Sequence, residues 1–262
     1  MLNSKIYINA ISVIAPGMES ADKSLEILKG NLNWLPKPLS KMTPASLPAN
    51  EARRTTTVIR LVLKALESIK CGANTAAIFA SSEGDLDITD KICKTLATEA
   101  KMVSPTLFHN SVHNAPAGYF SIATGMTTPS TSLSAGDDTF SAGLIEAVTQ
   151  VMVENNDVLL VAYDNVAPQD LDDFRHFDYP VAIALLLSAI EQSNSIGHID
   201  ISVIEKKANI TQCFNHSLEK LRLGNPIGLG LPLIEALIKK LNTEIVLPYL
   251  NQNQVLIKVN NV

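Results

Sequence analysis

Ser130-Thr131-Ser132-Leu133-Ser134-Ala135-Gly136-Asp137-Asp138-Thr139-Phe140 decides how this chain is read. Pro129 and the alternation from Ser130 to Ser134 suit a short extended strand. Ala135-Gly136 is small and permissive, as a tight strand-to-helix turn needs. Phe140, Leu144, Ala147, Val148 and Val151 then recur at helical spacing. Asp137 and Asp138 fall at the start of that helix, where free N–H groups and the helix dipole favour an anion. On local grounds both read first as helix caps. A cysteine at such a turn would be a reactive thiolate. A carboxylate there attacks a thioester poorly, because the product would be a high-energy anhydride.

The strands and helices around this turn alternate. Lys5–Ala15 reads as a buried strand ended by Pro16-Gly17, and Ser20–Lys29 as an amphipathic helix. Residues 31–48 carry four prolines and the only tryptophan, Trp34, and read as a surface excursion. Helices are expected over Thr55–Ile69 and Leu86–Ala97, with a short strand over Thr75–Ala80 between them. Leu107–Gly125 reads as irregular and then helical. Strands follow at Asp157–Tyr163, Pro180–Ser188 and His198–Ile204. Beyond Lys206 the pattern weakens, leaving a helix over Leu229–Leu241 and a hairpin turned at Asn251-Gln252-Asn253. This alternation argues for one layered α/β domain.

Composition excludes several classes. At 262 residues the chain can bury a sizeable core, and 46% apolar against 18% charged content argues against extensive disorder. A net charge of -5 with no basic cluster makes nucleic acid and anionic membranes poor partners. Met1–Ala15 lacks the features of a signal peptide, and no apolar run approaches a membrane span. Cys71, Cys93 and Cys213 are isolated, so no metal site is expected, and their sparse, odd count suits a reducing cytoplasm.

Five segments, in order, resemble the β-ketoacyl synthases of the thiolase-fold superfamily. Lys5–Gly17 resembles the opening strand and glycine turn, and Ala52-Arg53-Arg54 the approach to the first long core helix. Ser104–Gly125, with Asn110-Ser111-Val112-His113-Asn114-Ala115-Pro116-Ala117-Gly118, resembles the loop and helix across the family's dimer interface. Pro129–Ser132 resembles the strand before the nucleophile, and Asp157–Ala162 the strand after its helix. Ungapped counting back from Asp157 sets Asp137 at the family's cysteine position.

The resemblance implies a thiolase-like layered fold, mainly its N-terminal half: a family-like core over 1–190 and a shortened, divergent part over 191–262. It also implies two absences, the cysteine and the second half that supplies the catalytic histidines. His198 and His216 lack the family's Gly-rich or Thr-Gly-Thr context and read as surface residues. His109 and His113 read as packed or hydrogen-bonded.

A truncated half with this much apolar content is expected to expose an interface. Chain-length factors fit that description: cysteine-less partners that pair with an active ketosynthase and shape the tunnel in which the chain grows. The similarity is closest to the short ketosynthase-like proteins of bacterial aryl-polyene clusters. On that reading there is no catalytic residue, cofactor or metal. The interface and tunnel are expected from Phe108, His109, Asn110, Val112, His113, Asn114, Tyr119 and Phe120, and from Ser130, Thr131, Ser132, Leu133 and Ser134. A full-length ketosynthase would be the constant partner, in the cytoplasm, and an acyl carrier protein the transient one. Acidic carrier proteins prefer basic patches; with Lys and Arg scattered along an acidic chain, docking is expected mainly on the partner. The alternative is a stand-alone thioester hydrolase or decarboxylase with Asp137 or Asp138 as general base; a third reading is a carrier-binding scaffold with no tunnel.

Overall fold

The computed structural model describes residues 5–262, so Met1–Ser4 of the N-terminal reading lie outside the described residues. In chain order the elements are β1 (Ile6–Ile14), α1 (Ala21–Lys29), α2 (Ala49–Arg54), α3 (Thr57–Leu66), β2 (Ala76–Ala80), α4 (Leu86–Leu96), α5 (Pro105–Asn110), α6 (Ala115–Thr124), β3 (Ser130–Leu133), α7 (Thr139–Glu154), β4 (Val158–Asp164), β5 (Val181–Ser188), β6 (Gly197–Glu205), α8 (Glu219–Leu223), α9 (Leu231–Ile238), β7 (Thr243–Tyr249) and β8 (Asn253–Asn260).

The strands form one mixed sheet in the order β3-β2-β4-β5-β1-β6-β8-β7. β3, β2 and β4 are parallel, and β5 runs antiparallel to both β4 and β1. β1 therefore shares the direction of β4, and the C-terminal ends of β1, β2, β3 and β4 meet at one edge. There, Asp164 pairs with Val181, and Ile14 with the neighbouring Ala182.

Two apolar layers flank the sheet. One holds α1, α7 and α9 through Ile27, Leu28, Phe140, Leu144, Val148, Val151, Leu233 and Leu237. The other holds α3 and α6 through Val58, Leu61, Val62, Tyr119 and Phe120. β4 and β5 are buried throughout, which explains their near-continuous Val, Ile and Leu. Helix α7 lies on β2 and β4 yet also touches β7 at the far end of the sheet, so the β6-β8-β7 extension curls around it. Gly143 permits that approach: a Cβ there would sit 3.0 Å from both Ala80 and Leu160.

The structure amends the sequence reading in three places. Residues 31–48 have no regular structure, as expected of an excursion, but Trp34 is buried. Its indole Nε1 donates to Pro16 O at 2.8 Å, its backbone N to Ser217 Oγ at 2.6 Å, and its ring meets Tyr179 edge-on. A large aromatic satisfies both its area and its N–H only when docked. The irregular start expected before α6 is the separate helix α5. Residues 215–228, left without structure by the weak pattern, hold a 3-10 turn, α8 and the start of a second 3-10 turn that also takes Leu229 and Gly230 from the expected Leu229–Leu241 helix. Among the described residues no helix is long and apolar enough to cross a membrane.

Candidate functional site

The edge where β2, β3 and β4 end is the natural place for a site, because a parallel sheet directs its loops there. It receives Ser81–Gly84 from β2, Ser134–Asp138 from β3 and Asp164 from β4.

The elbow is a stitched turn. Gly136 adopts φ +58°, the left-handed region that favours glycine, and residues 136–138 form a single 3-10 turn before α7. Thr139 Oγ1 accepts from Ala135 N at 2.9 Å and donates to Gly136 O at 2.7 Å. Ser134 Oγ donates to Ser82 O at 2.9 Å.

Neither aspartate caps the helix with its side chain, which corrects the first reading of the pair. Asp137 points outward, its side chain 67% exposed, and forms an ion pair with Arg175 at 2.6 Å. Arg175 also reaches Glu83 Oε1 at 2.6 Å and stacks over Phe177 at 4.7 Å. Asp138 accepts from the backbone N of Leu250, in the β7–β8 turn, at 2.8 Å. The two carboxylates therefore tie the elbow to two distant loops, where tertiary contacts outweigh local capping.

Beneath the elbow lies a buried polar cluster. Asp164, 1% exposed, accepts from Ser81 Oγ at 2.8 Å, Ser82 N at 3.0 Å and Ser82 Oγ at 2.5 Å. Burial pushes its carboxyl up to about 6, against the opposing pull of those donors. The same burial raises the neighbouring Tyr163 phenol. His113 Nε2 sits 3.0 Å from Ser81 O, and Asn225 Nδ2 donates to Tyr179 O at 2.8 Å.

The remaining predicted residues divide. Ser130–Leu133 form β3, an edge strand whose outer side has no strand neighbour among the described residues. Phe108, His109, Val112, Asn114 and Tyr119 line one open, mostly apolar groove of about 580 Å³ between α5 and α6. Phe108 is 70% and Val112 52% exposed. Asn110 instead turns inward and donates to Arg54 O at 2.8 Å. Phe120 is core, with its ring 5.8 Å from that of Phe79. His216 is exposed, but His198 is half-buried against Tyr7, so the surface reading holds for only one of the two.

Reactive groups are scarce at the elbow. Its two hydroxyls, Ser134 and Thr139, each donate to a backbone carbonyl, and no thiol is near. Cys71 precedes β2, Cys93 is exposed on α4, and Cys213 is buried with its thiol pushed up by desolvation. Among the described residues no group of three or more His, Cys, Asp or Glu side chains could hold a metal ion. The pairing of Asp137 with Arg175 and of Asp138 with Leu250 N does not favour either as a general base.

The model of the family described as β-ketoacyl synthase, N-terminal domain, matches residues 29–222. The chain belongs to that family. Its fold resembles the solved ketosynthase ApeO in complex with its chain length factor ApeC from Xenorhabdus doucetiae, with a TM-score of 0.74 and 23% identity over 97% of this chain and 99% of that one. It also resembles the ishigamide ketosynthase/chain length factor, with a TM-score of 0.75 and 10% identity over 98% of this chain and 99% of that one. A third match is AntDE:AntF, a type II acyl-carrier protein in complex with its ketosynthase, with a TM-score of 0.70, 11% identity and coverage of 98% and 99%. At such identities the likeness is one of fold, here the thiolase-like α/β fold. No curated protein matches the sequence.

Sequence reasoning missed Asp164, Ser81, Ser82, Glu83 and Arg175. The first three carried a signal: a polar residue at or just past the C-terminal end of an apolar parallel strand. Arg175 carried none, because it lies in a charge-rich loop whose path only the fold fixes.

Proposed function

We propose that this chain is a non-catalytic, chain-length-factor-like subunit. It pairs with a full-length β-ketoacyl synthase and shapes the acyl tunnel of that complex, in the cytoplasm, on the path to an aryl polyene. The carrying observation is the elbow: a ketosynthase-family strand-turn-helix whose residue at the turn is an exposed aspartate held by Arg175. Asp137 then occupies the place of the family's cysteine. The whole chain, 1–262, acts as one shortened ketosynthase-like domain, and nucleophilic acyl transfer falls to the partner.

Two further features support the reading. The unpaired edge of β3 leaves Ser130–Leu133 available to a partner's strand. The groove exposes the apolar side chains of Phe108, Val112 and Ile122, which a partner or a growing chain would cover, with the buried Tyr119 at its floor. In this assignment the exposed His109 and Asn114 line the same groove, the buried Asn110 and Phe120 and the half-buried His113 support it from behind, and Ser134 extends the β3 edge.

The test is co-expression with the ketosynthases of the same genome neighbourhood, followed by size-exclusion chromatography with mass determination. A stable one-to-one heterodimer is expected. A homodimer or monomer indifferent to every ketosynthase overturns the proposal. Within the heterodimer, Phe108→Ala and Val112→Phe should shift product length in opposite directions. Unchanged product lengths in both would leave a scaffold without a tunnel role.

A further inference from the structure

At the same edge of the sheet as the elbow, past β5, the C-terminal end of β1 opens onto a second groove. It runs between the β1–α1 turn, residues 37–43 and the end of α3, with a hollow of about 630 Å³. Smaller hollows continue it at both ends: one shares Ile14, Glu19, Ser20, Lys64 and Glu67, the other shares residues 39–42. Lys23, Lys37, Lys41 and Lys64 line it, with apolar surface from Ile14, Leu39 and Met42.

The charges of this groove are not balanced. Lys64 pairs with Glu67 at 2.7 Å, and Glu19 is taken by Ser40, accepting from its hydroxyl at 2.8 Å and from its backbone N. Among the described residues, Lys23, Lys37 and Lys41 have no carboxylate within ion-pair distance. In a chain of 21 basic and 26 acidic residues, four lysines against Glu19 and Glu67 in one groove are a local reversal of sign. The expectation that Lys and Arg are scattered fails here, because residues 37–41 fold back onto the β1–α1 turn.

The groove is also preformed. Gly17 has φ +79°, and a Cβ there would lie 2.3 Å from Leu35 O, so the returning segment rests directly on glycine backbone. Trp34 anchors one end of that segment and the Ser40–Glu19 contacts the other.

We infer that this groove docks the acidic face of an acyl carrier protein, its carboxylates meeting Lys23, Lys37 and Lys41 and its aliphatic side chains meeting Leu39 and Met42. Charge complementarity selects the occupant: compact ammonium groups on an apolar floor suit an acidic amphipathic helix, which gains speed and register from such fields. The inference rests on the proposed function, which supplies the carrier.

The test uses the purified complex with the ketosynthase and a fluorescently labelled carrier protein from the same neighbourhood, with affinity read by anisotropy at about 0.05 and 0.3 M salt. The combined K23E/K37E/K41E variant should weaken carrier binding at least about ten-fold and flatten its salt dependence. The matching K23Q/K37Q/K41Q variant should lose less, and K91E/K101E/K206E, with an equal charge change elsewhere, should stay within about two-fold. Equal losses in the two reversed triples overturn the inference, as does unchanged affinity in the first. Competition by inorganic phosphate at matched ionic strength also overturns it, in favour of a small-anion site. If no ketosynthase pairs with the chain, the proposed function falls by itself; the same carrier titration on the chain alone then decides the inference.

Discussion

The elbow and the lysine groove lie on one edge of one sheet, yet they handle charge in opposite ways. At the elbow each carboxylate has a partner within the chain: Asp137 and Glu83 converge on Arg175, and Asp138 holds a backbone N–H. In the groove three ammonium groups have no carboxylate within ion-pair distance among the described residues. A site built for chemistry keeps a reactive group free and poised. A surface built for contact keeps complementary charge unspent. In this chain the elbow's carboxylates serve as ties between loops, and the groups without ion-pair partners lie in the groove.

The sharpest way to break that comparison is to loosen the elbow from beneath. Phe140, in the first turn of α7, is fully buried, and a Cβ added to Gly230 would fall 2.4 Å from its ring. Phe140→Ala should cost about 3–5 kcal/mol in denaturant unfolding. A loss below about 1 kcal/mol would mean that the elbow is not a packed unit.

A second effect depends on pH. Burial raises the Asp164 carboxyl from an ordinary 3.8 to about 6. Between those values the folded chain keeps a proton that the unfolded chain releases. That contribution is complete below about pH 4 and is lost as pH rises through about 6, roughly 3 kcal/mol in all. Relative to Asp164→Asn, the natural chain should therefore lose stability over that window. Parallel stability curves for the two would show that the carboxyl is ordinary and the cluster wetter than its burial implies.

Much of this frame was legible in the sequence because it rests on periodicity. The α7 residues Phe140, Leu144, Ala147, Val148 and Val151 are all buried, as their spacing required. The continuous apolar runs of β4 and β5 announced strands covered on both faces. What stayed hidden depends on chain return. Trp34 finds Pro16 and Ser217, Arg175 finds Asp137, and residues 37–43 find the β1–α1 turn. Residues 215–228 were illegible for another reason. Their turns are held by side chains such as Asn215 and Asn225, each accepting from a backbone N–H two residues on, rather than by a repeating pattern.

The smallest expected effect is the most discriminating. The Asp137–Arg175 pair is solvent-exposed on the aspartate side, and such pairs contribute about 0–1 kcal/mol. Asp137→Ala should therefore barely move stability, since Arg175 keeps Glu83 and its stack on Phe177. Turnover by a reconstituted ketosynthase complex should stay within about two-fold, because a group tied to an arginine at a turn supplies no proton transfer. General acid–base catalysis is worth about a hundred-fold or more, so a collapse of that size, with the complex still assembled, would return the elbow to chemistry. Arg175→Gln separates the remaining possibility. A loss that appears in this variant but not in Asp137→Ala would assign the effect to the Glu83 contact and the loop it anchors, leaving the carboxylate at the turn without a role in the reaction.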